Sequence, residues 1–93
     1  MSNIIKMPKR FDYSTGAEFN SVLAAMFSSE GEGVQVLLDC LHMDYIDSAG
    51  IGLLVMAHKK ALANHASIAI INIKPSTKEI LLLANLQKLI ALN

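Results

Sequence analysis

Ser48 lies in the stretch "DYIDSAGIG", residues 44 to 52, with carboxylates at Asp44 and Asp47 before or beside it and glycines at 50 and 52 after it. A serine in such company can be a nucleophile, part of a phosphate cradle, a helix cap or an acceptor of a phosphoryl group. The nucleophile-elbow pattern needs glycine on both sides of the serine, and here only Gly50 is in place. The histidines give poor support for a triad: His42 follows a strand, His58 falls on an apolar helical stripe, and His65 lies past the end of the same helix. Neither phosphate-binding glycine pattern is present, and no lysine occupies the position such a loop requires. Asp39, Cys40, His42 and Asp44 could be named as metal ligands. Two of them fall on a strand whose alternate residues point to opposite faces, so a buried thiol and solvated loop residues are the expectation, with no metal and no cofactor.

The capping role is ordinary: Ser48 or Asp47 accepts a hydrogen bond from first-turn amides. It leaves two glycines in that turn unexplained, each costing up to about 1 kcal/mol of helix propensity relative to alanine. Small side chains at 49, 50 and 52 suit a backbone approached by another protein surface. A phosphoryl group on Ser48 would place a charge of about −1.5 to −2 at the positive end of a helix, which the fold tolerates. A partner packed there would meet it, and the charge of Asp47, as unpaired negative charge.

The elements that position this stretch follow from periodicity. "IIKM" at 4 to 7 reads as a short strand. "YSTGAEFNSVLAAMF" carries Phe19, Val22, Leu23, Met26 and Phe27 at helical spacing, with Thr15 and Glu18 placed for a capping box. "EGEG" ends that helix, and "VQVLLDCL" reads as a strand apolar on both faces, as in a covered sheet. From Ser48 a second helix puts Ile51, Leu54, Val55, His58 and Leu62 on one stripe. "SIAIINI" is a further strand, "KPSTKEILLLANL" a third helix with a capping box from Ser76 to Glu79, and "KLIAL" a short strand or last helical turn. Alternating strands and helices imply an α/β fold with parallel pairing.

Composition narrows the function classes. Ninety-three residues without repeats or linkers make a single domain, residues 1 to 93. Zero formal net charge and no lysine–arginine cluster argue against direct nucleic-acid binding. Cys40 is the only cysteine, which suits a reducing compartment, and the start "MSNIIKMPKRFDYS" lacks the apolar core of a signal peptide, so a cytoplasmic protein without membrane insertion is expected. The hydrophobic share of 53% leaves apolar surface for a partner.

The core "VQVLLDCLHMDYIDSAGIGLLVMAHKKA" resembles the STAS domain found in bacterial anti-sigma-factor antagonists: a hydrophobic strand ending in Asp, a short loop, then Asp-Ser-(Ser/Thr/Ala)-Gly-(Leu/Ile)-Gly at a helix start. "ASIAIINIKPSTKEILLLANLQKLIAL" continues the likeness, and "RFDYSTGAEFNSVL" is similar to the family segment in which an Asp precedes the first helix. The resemblance implies a mixed, mostly parallel sheet of about four strands with helices mainly on one face. It implies that Ser48 is the phosphorylatable serine, and that Asp39, Asp47, Ser48, Ala49, Gly50, Ile51 and Gly52 form the partner-binding face. Alanine at position 49 leaves Ser48 as the only hydroxyl of the motif, and a single weak strand stands before "FDYS" where many relatives show a strand pair.

By the same resemblance the chain is a binding module and not an enzyme. The unphosphorylated form would hold an anti-sigma factor or serine kinase of the histidine-kinase-like ATPase type. Phosphorylation of Ser48 would release that partner, and a metal-dependent serine phosphatase of the PP2C type would restore binding. The alternative within the family is a STAS subunit bound to the ATPase of an ABC-type lipid transporter; outside it, a small serine-dependent hydrolase.

Overall fold

In the computed structural model, residues 3–93 are described. The chain runs β1 (Ile4–Lys6), β2 (Arg10–Phe11), α1 (Tyr13–Glu30), β3 (Gln35–Asp39), β4 (Tyr45–Ile46), α2 (Ser48–Ala63), β5 (Ser67–Ile71), α3 (Pro75–Leu83), a 3-10 turn (Leu86–Lys88) and β6 (Ala91–Leu92). Among the described residues the main sheet has four strands in the order β1-β3-β5-β6, every pair parallel, and β2 pairs with β4 in a separate two-stranded ribbon.

Register explains which side of the sheet is covered. Ile5, Leu38, Ile70 and Leu92 stand side by side across the ladders, and Val36 stands beside Ile68. All but the half-buried Leu92 are buried, and they join one core with Phe19, Leu23 and Phe27 of α1, Leu54, Ala57 and Ala61 of α2, and Leu81 of α3. The opposite face carries Ile4, Lys6, Gln35, Leu37, Asp39, Ser67 and Ile71, half-buried or exposed. Only Ala69 is hidden there, a small residue flanked by Leu37 and Ala91. The expectation of a strand covered on both faces is therefore corrected, because β3 buries Val36 and Leu38 alone.

Local chemistry sets the helix boundaries. Asp12 caps α1, and the capping box closes with Thr15 at the third position rather than running from Thr15 to Glu18. The chain arrives at Asp12 already extended (φ −145°, ψ −168°), which is the conformation a cap needs. On α1, Phe19, Leu23 and Phe27 are buried while Val22 is 40% exposed. On α3, Lys74 is the cap position with no side-chain bond and Pro75 opens the helix, so Ser76 lies inside the first turn instead of capping it. Proline supplies the helical φ and has no N–H to satisfy. The final segment resolves into the 3-10 turn and the short strand β6.

Helix α2 departs from its expected stripe by one position. Its buried residues are Gly50, Leu54, Ala57 and Ala61, while Leu62 is 61% exposed. Small residues face inward because they let the helix sit close to the sheet. Gly16 does the same between the helices, where an added Cβ would stand 3.0 Å from Leu53 Cδ1.

Candidate functional site

The short ribbon builds the site. Arg10 stands beside Tyr45 and Phe11 beside Ile46, in parallel register. One residue further along each chain a helix begins, with Asp12 as the cap of α1 and Asp47 as the cap of α2. Two helix N-termini thus open side by side, each with its own aspartate, and their dipoles both favour negative charge there.

The caps divide the labour. Asp12 Oδ1 accepts from the backbone N–H of Ser14 at 2.9 Å, and the Asp12 N–H donates to Thr15 Oγ1 at 3.1 Å. Asp47 Oδ1 accepts from the Gly50 N–H at 3.0 Å. Ser48 is therefore not the cap. It is the first residue of α2, exposed, with Ala49 beside it also exposed.

A row of side chains joins the two caps. Arg10 Nε donates to Asp12 Oδ2 at 2.7 Å, its guanidinium lies 3.8 Å from the centre of the Tyr45 ring, and the Tyr45 hydroxyl donates to Asp47 Oδ2 at 3.3 Å. The Arg10 pKa is raised, first by its bond to Asp12 and further by Tyr45 and Asp47. Asp12 is held below the usual carboxylate range, first by the Ser14 hydroxyl and then by Arg10. Sequence reasoning missed Arg10, Asp12 and Tyr45 as members of this site. The one signal available was the aspartate before the first helix.

The expected contact residues separate into layers. Ser48, Ala49 and Gly52 are exposed, Asp47 and Ile51 are half-buried, and Gly50 is buried. A Cβ at position 50 would lie 2.5 Å from the Phe11 carbonyl oxygen and 2.8 Å from Ile46 Cγ1, so this glycine serves close packing of α2 on the ribbon. At Gly52 nothing lies within 4 Å of an added Cβ. The idea that both glycines keep the surface low is corrected accordingly: Gly52 is on the surface and Gly50 beneath it.

Asp39 stands apart from this row. Its Oδ1 accepts from the Leu41 N–H and from Asn72 Nδ2, both at 3.1 Å, so it clamps the ends of β3 and β5. Those bonds, Asn72 first, hold its carboxyl below the usual range. Cys40 is buried and its thiol pushed up to about 12 by desolvation, which disfavours the reactive thiolate. Among the described residues no three histidine, cysteine or acidic side chains gather to hold a metal ion, and no helix is long and apolar enough to cross a membrane.

Two surface features flank the site. Tyr13, the first residue of α1, is 88% exposed and borders a shallow groove with Gly16, Ala17, Asn20 and Leu53 between α1 and α2. On the other side of α1, a cleft of about 250 Å³ is lined by Met7, Pro8, Glu18 and Val22 among others. Its size falls below the usual range for small-molecule sites.

Comparison with known proteins identifies the family and the fold. The family model of the STAS domain matches residues 4–93, and the chain belongs to that family. No curated protein matches it in sequence. Among solved structures it is similar to the Bacillus cell fate determinant SpoIIAA in its phosphorylated form, at 12% identity and a TM-score of 0.68, with 97% of this chain and 80% of that one covered. The likeness shows a common α/β fold, in which the main sheet of this chain has four strands among the described residues.

Proposed function

We propose that this STAS domain is a single-domain cytoplasmic binding module of the anti-sigma-factor-antagonist kind, controlled by phosphorylation of Ser48. The observation that carries the reading is the division of labour at the start of α2. Asp47 provides the cap, while the adjacent Ser48 is an exposed residue at the positive end of the helix. A serine that caps would be withdrawn by its own bond; one beside a cap is available to a kinase.

In the unphosphorylated state the partner, an anti-sigma factor or serine kinase of the histidine-kinase-like ATPase type, packs on Ser48, Ala49, Ile51 and Gly52. Gly50 and Asp47 hold that surface from below, and Asp39 keeps the neighbouring strand ends fixed. The kinase transfers the γ-phosphoryl group of ATP to Ser48 Oγ, which gives up its proton as ADP leaves. The new dianion meets a dehydrated interface, and the complex separates. A serine phosphatase of the PP2C type hydrolyses the ester and restores the first state. That SpoIIAA occurs in a phosphorylated form supports the reading. In this cycle the chain is a substrate and a ligand, and does no chemistry itself.

The test is a quantitative pull-down from native cells with tagged Ser48→Ala and Ser48→Asp forms. Capture of a kinase-type or phosphatase-linked regulator by the alanine form alone is the expected result. The same transporter ATPase on both forms would instead assign the chain as a transporter subunit.

A further inference from the structure

We propose that Arg10 is the internal counter-charge that receives a phosphoryl group on Ser48, leaving Asp12 to do so. The inference rests on the reading of Ser48 as a phosphorylation site and deepens it. The row Asp12, Arg10, Tyr45, Asp47 ends one residue before Ser48, so the guanidinium already lies within the field of the carboxylate next to the modified position.

Arg10 is equipped for a second acceptor. Its side chain is 63% exposed, and its hydrogen bond to Asp12 uses Nε. The outer nitrogens of a guanidinium form a planar fork that matches a phosphate, so a dianion at Ser48 offers two charge-assisted bonds against the one that Nε makes to the Asp12 monoanion. The guanidinium carbon lies over the Tyr45 ring at 3.8 Å from its centre, and the hydroxyl of that ring reaches Asp47 at the start of α2, so the ring leads from Arg10 toward the modified position.

Other cations are placed less well. Lys9 pairs with Asp44 at 3.6 Å. Lys59 and Lys60 lie three turns along α2, about 16 to 18 Å from Ser48 at the rise of a helix. The charged and titratable groups facing Arg10 from the packed elements are Asp12 at the start of α1, Tyr45 on β4 and Asp47 at the start of α2.

The move carries information between helices. When Arg10 turns to Ser48, Asp12 loses its ion pair yet keeps the Ser14 amide and hydroxyl, so α1 remains capped. The surface beside Tyr13 then changes in charge although the modification is on α2. A partner spanning both helix starts would sense it twice.

The experiment installs phosphoserine at position 48 directly, in the wild-type chain and in Arg10→Gln, and follows the phosphate by ³¹P NMR across pH. The second ionisation is expected about half a pH unit or more higher in Arg10→Gln, about a threefold change in proton affinity, with Arg10→Lys between the two. Equal ionisation in wild type and Arg10→Gln overturns the proposal. Should Arg10→Gln fail to fold, the Arg10 Nε resonance of the wild-type chain decides: it shifts on phosphorylation if the guanidinium changes partner, and an unmoved resonance overturns the proposal. Partner release is scored separately by the Ser48→Asp capture, so a failed release leaves this comparison intact.

Discussion

The carbonyl oxygen of Phe11 occupies the space that a Cβ on Gly50 would need, at 2.5 Å. Backbone meets backbone here, so neither side can give way by a rotamer change. Gly50→Ala should destabilise the domain by about 1–3 kcal/mol, the usual range for overpacking. Gly52→Ala, facing open space, should be neutral or stabilising by up to about 1 kcal/mol. Urea unfolding of the two variants separates them, and equal midpoints would mean that the ribbon does not seat α2.

The two residues at the start of α2 should also separate. Asp47→Ala removes the bond to the Gly50 amide and should cost about 1 kcal/mol of stability. Ser48→Ala should leave thermal stability within about 0.5 kcal/mol of wild type, as expected for an exposed position away from a cap. Calorimetry on both checks the division of labour, and a large loss in Ser48→Ala would return the cap to Ser48.

Acid should weaken the domain through Asp12 and Asp39. Both have folded-state pKa values below the unbound value of 3.8, so each adds stability that is present above that value and lost as pH falls through its folded value. Melting temperature should therefore drop below about pH 4. In Asn72→Ala the Asp39 carboxyl loses its largest stabilising bond, and the acid side of the profile should become shallower. Chemical denaturation at pH 6 and pH 3 reads the difference.

Cys40 should resist modification while the chain is folded. With its thiol near 12 and its side chain buried, iodoacetamide at pH 8 should label it only after denaturant is added. Mass spectrometry before and after denaturation shows the contrast; rapid labelling of the folded protein would mean the site opens locally.

What could be read in the amino-acid order was the local part. Helical spacing located α1 and α2, and the Asp47-Ser48 pair marked a helix start, because periodicity and capping are properties of neighbouring residues. The ribbon could not be read. Arg10–Phe11 and Tyr45–Ile46 are each two residues long, too short for any period, and they exist only because the chain brings them together. With the ribbon went the row from Asp12 to Asp47, which holds the two helix starts in one site. The α2 stripe failed for a different reason: a reading that prefers large apolar residues chose Ile51 and Leu62, whereas closest approach selects Gly50 and Ala61.

Every strand pair among the described residues joins segments that are distant in the chain, since each parallel partner lies beyond an intervening helix or loop. No hairpin exists among the described residues to seed the sheet. Loop closure must precede any reward from pairing, and such non-local topologies fold more slowly than local ones. The helices capped by Asp12 and Asp47 are the order that the chain can build from local contacts alone. The ribbon beside Gly50 then decides more than the shape of a surface: it is the long-range contact that ties these two locally capped helices together at their starts.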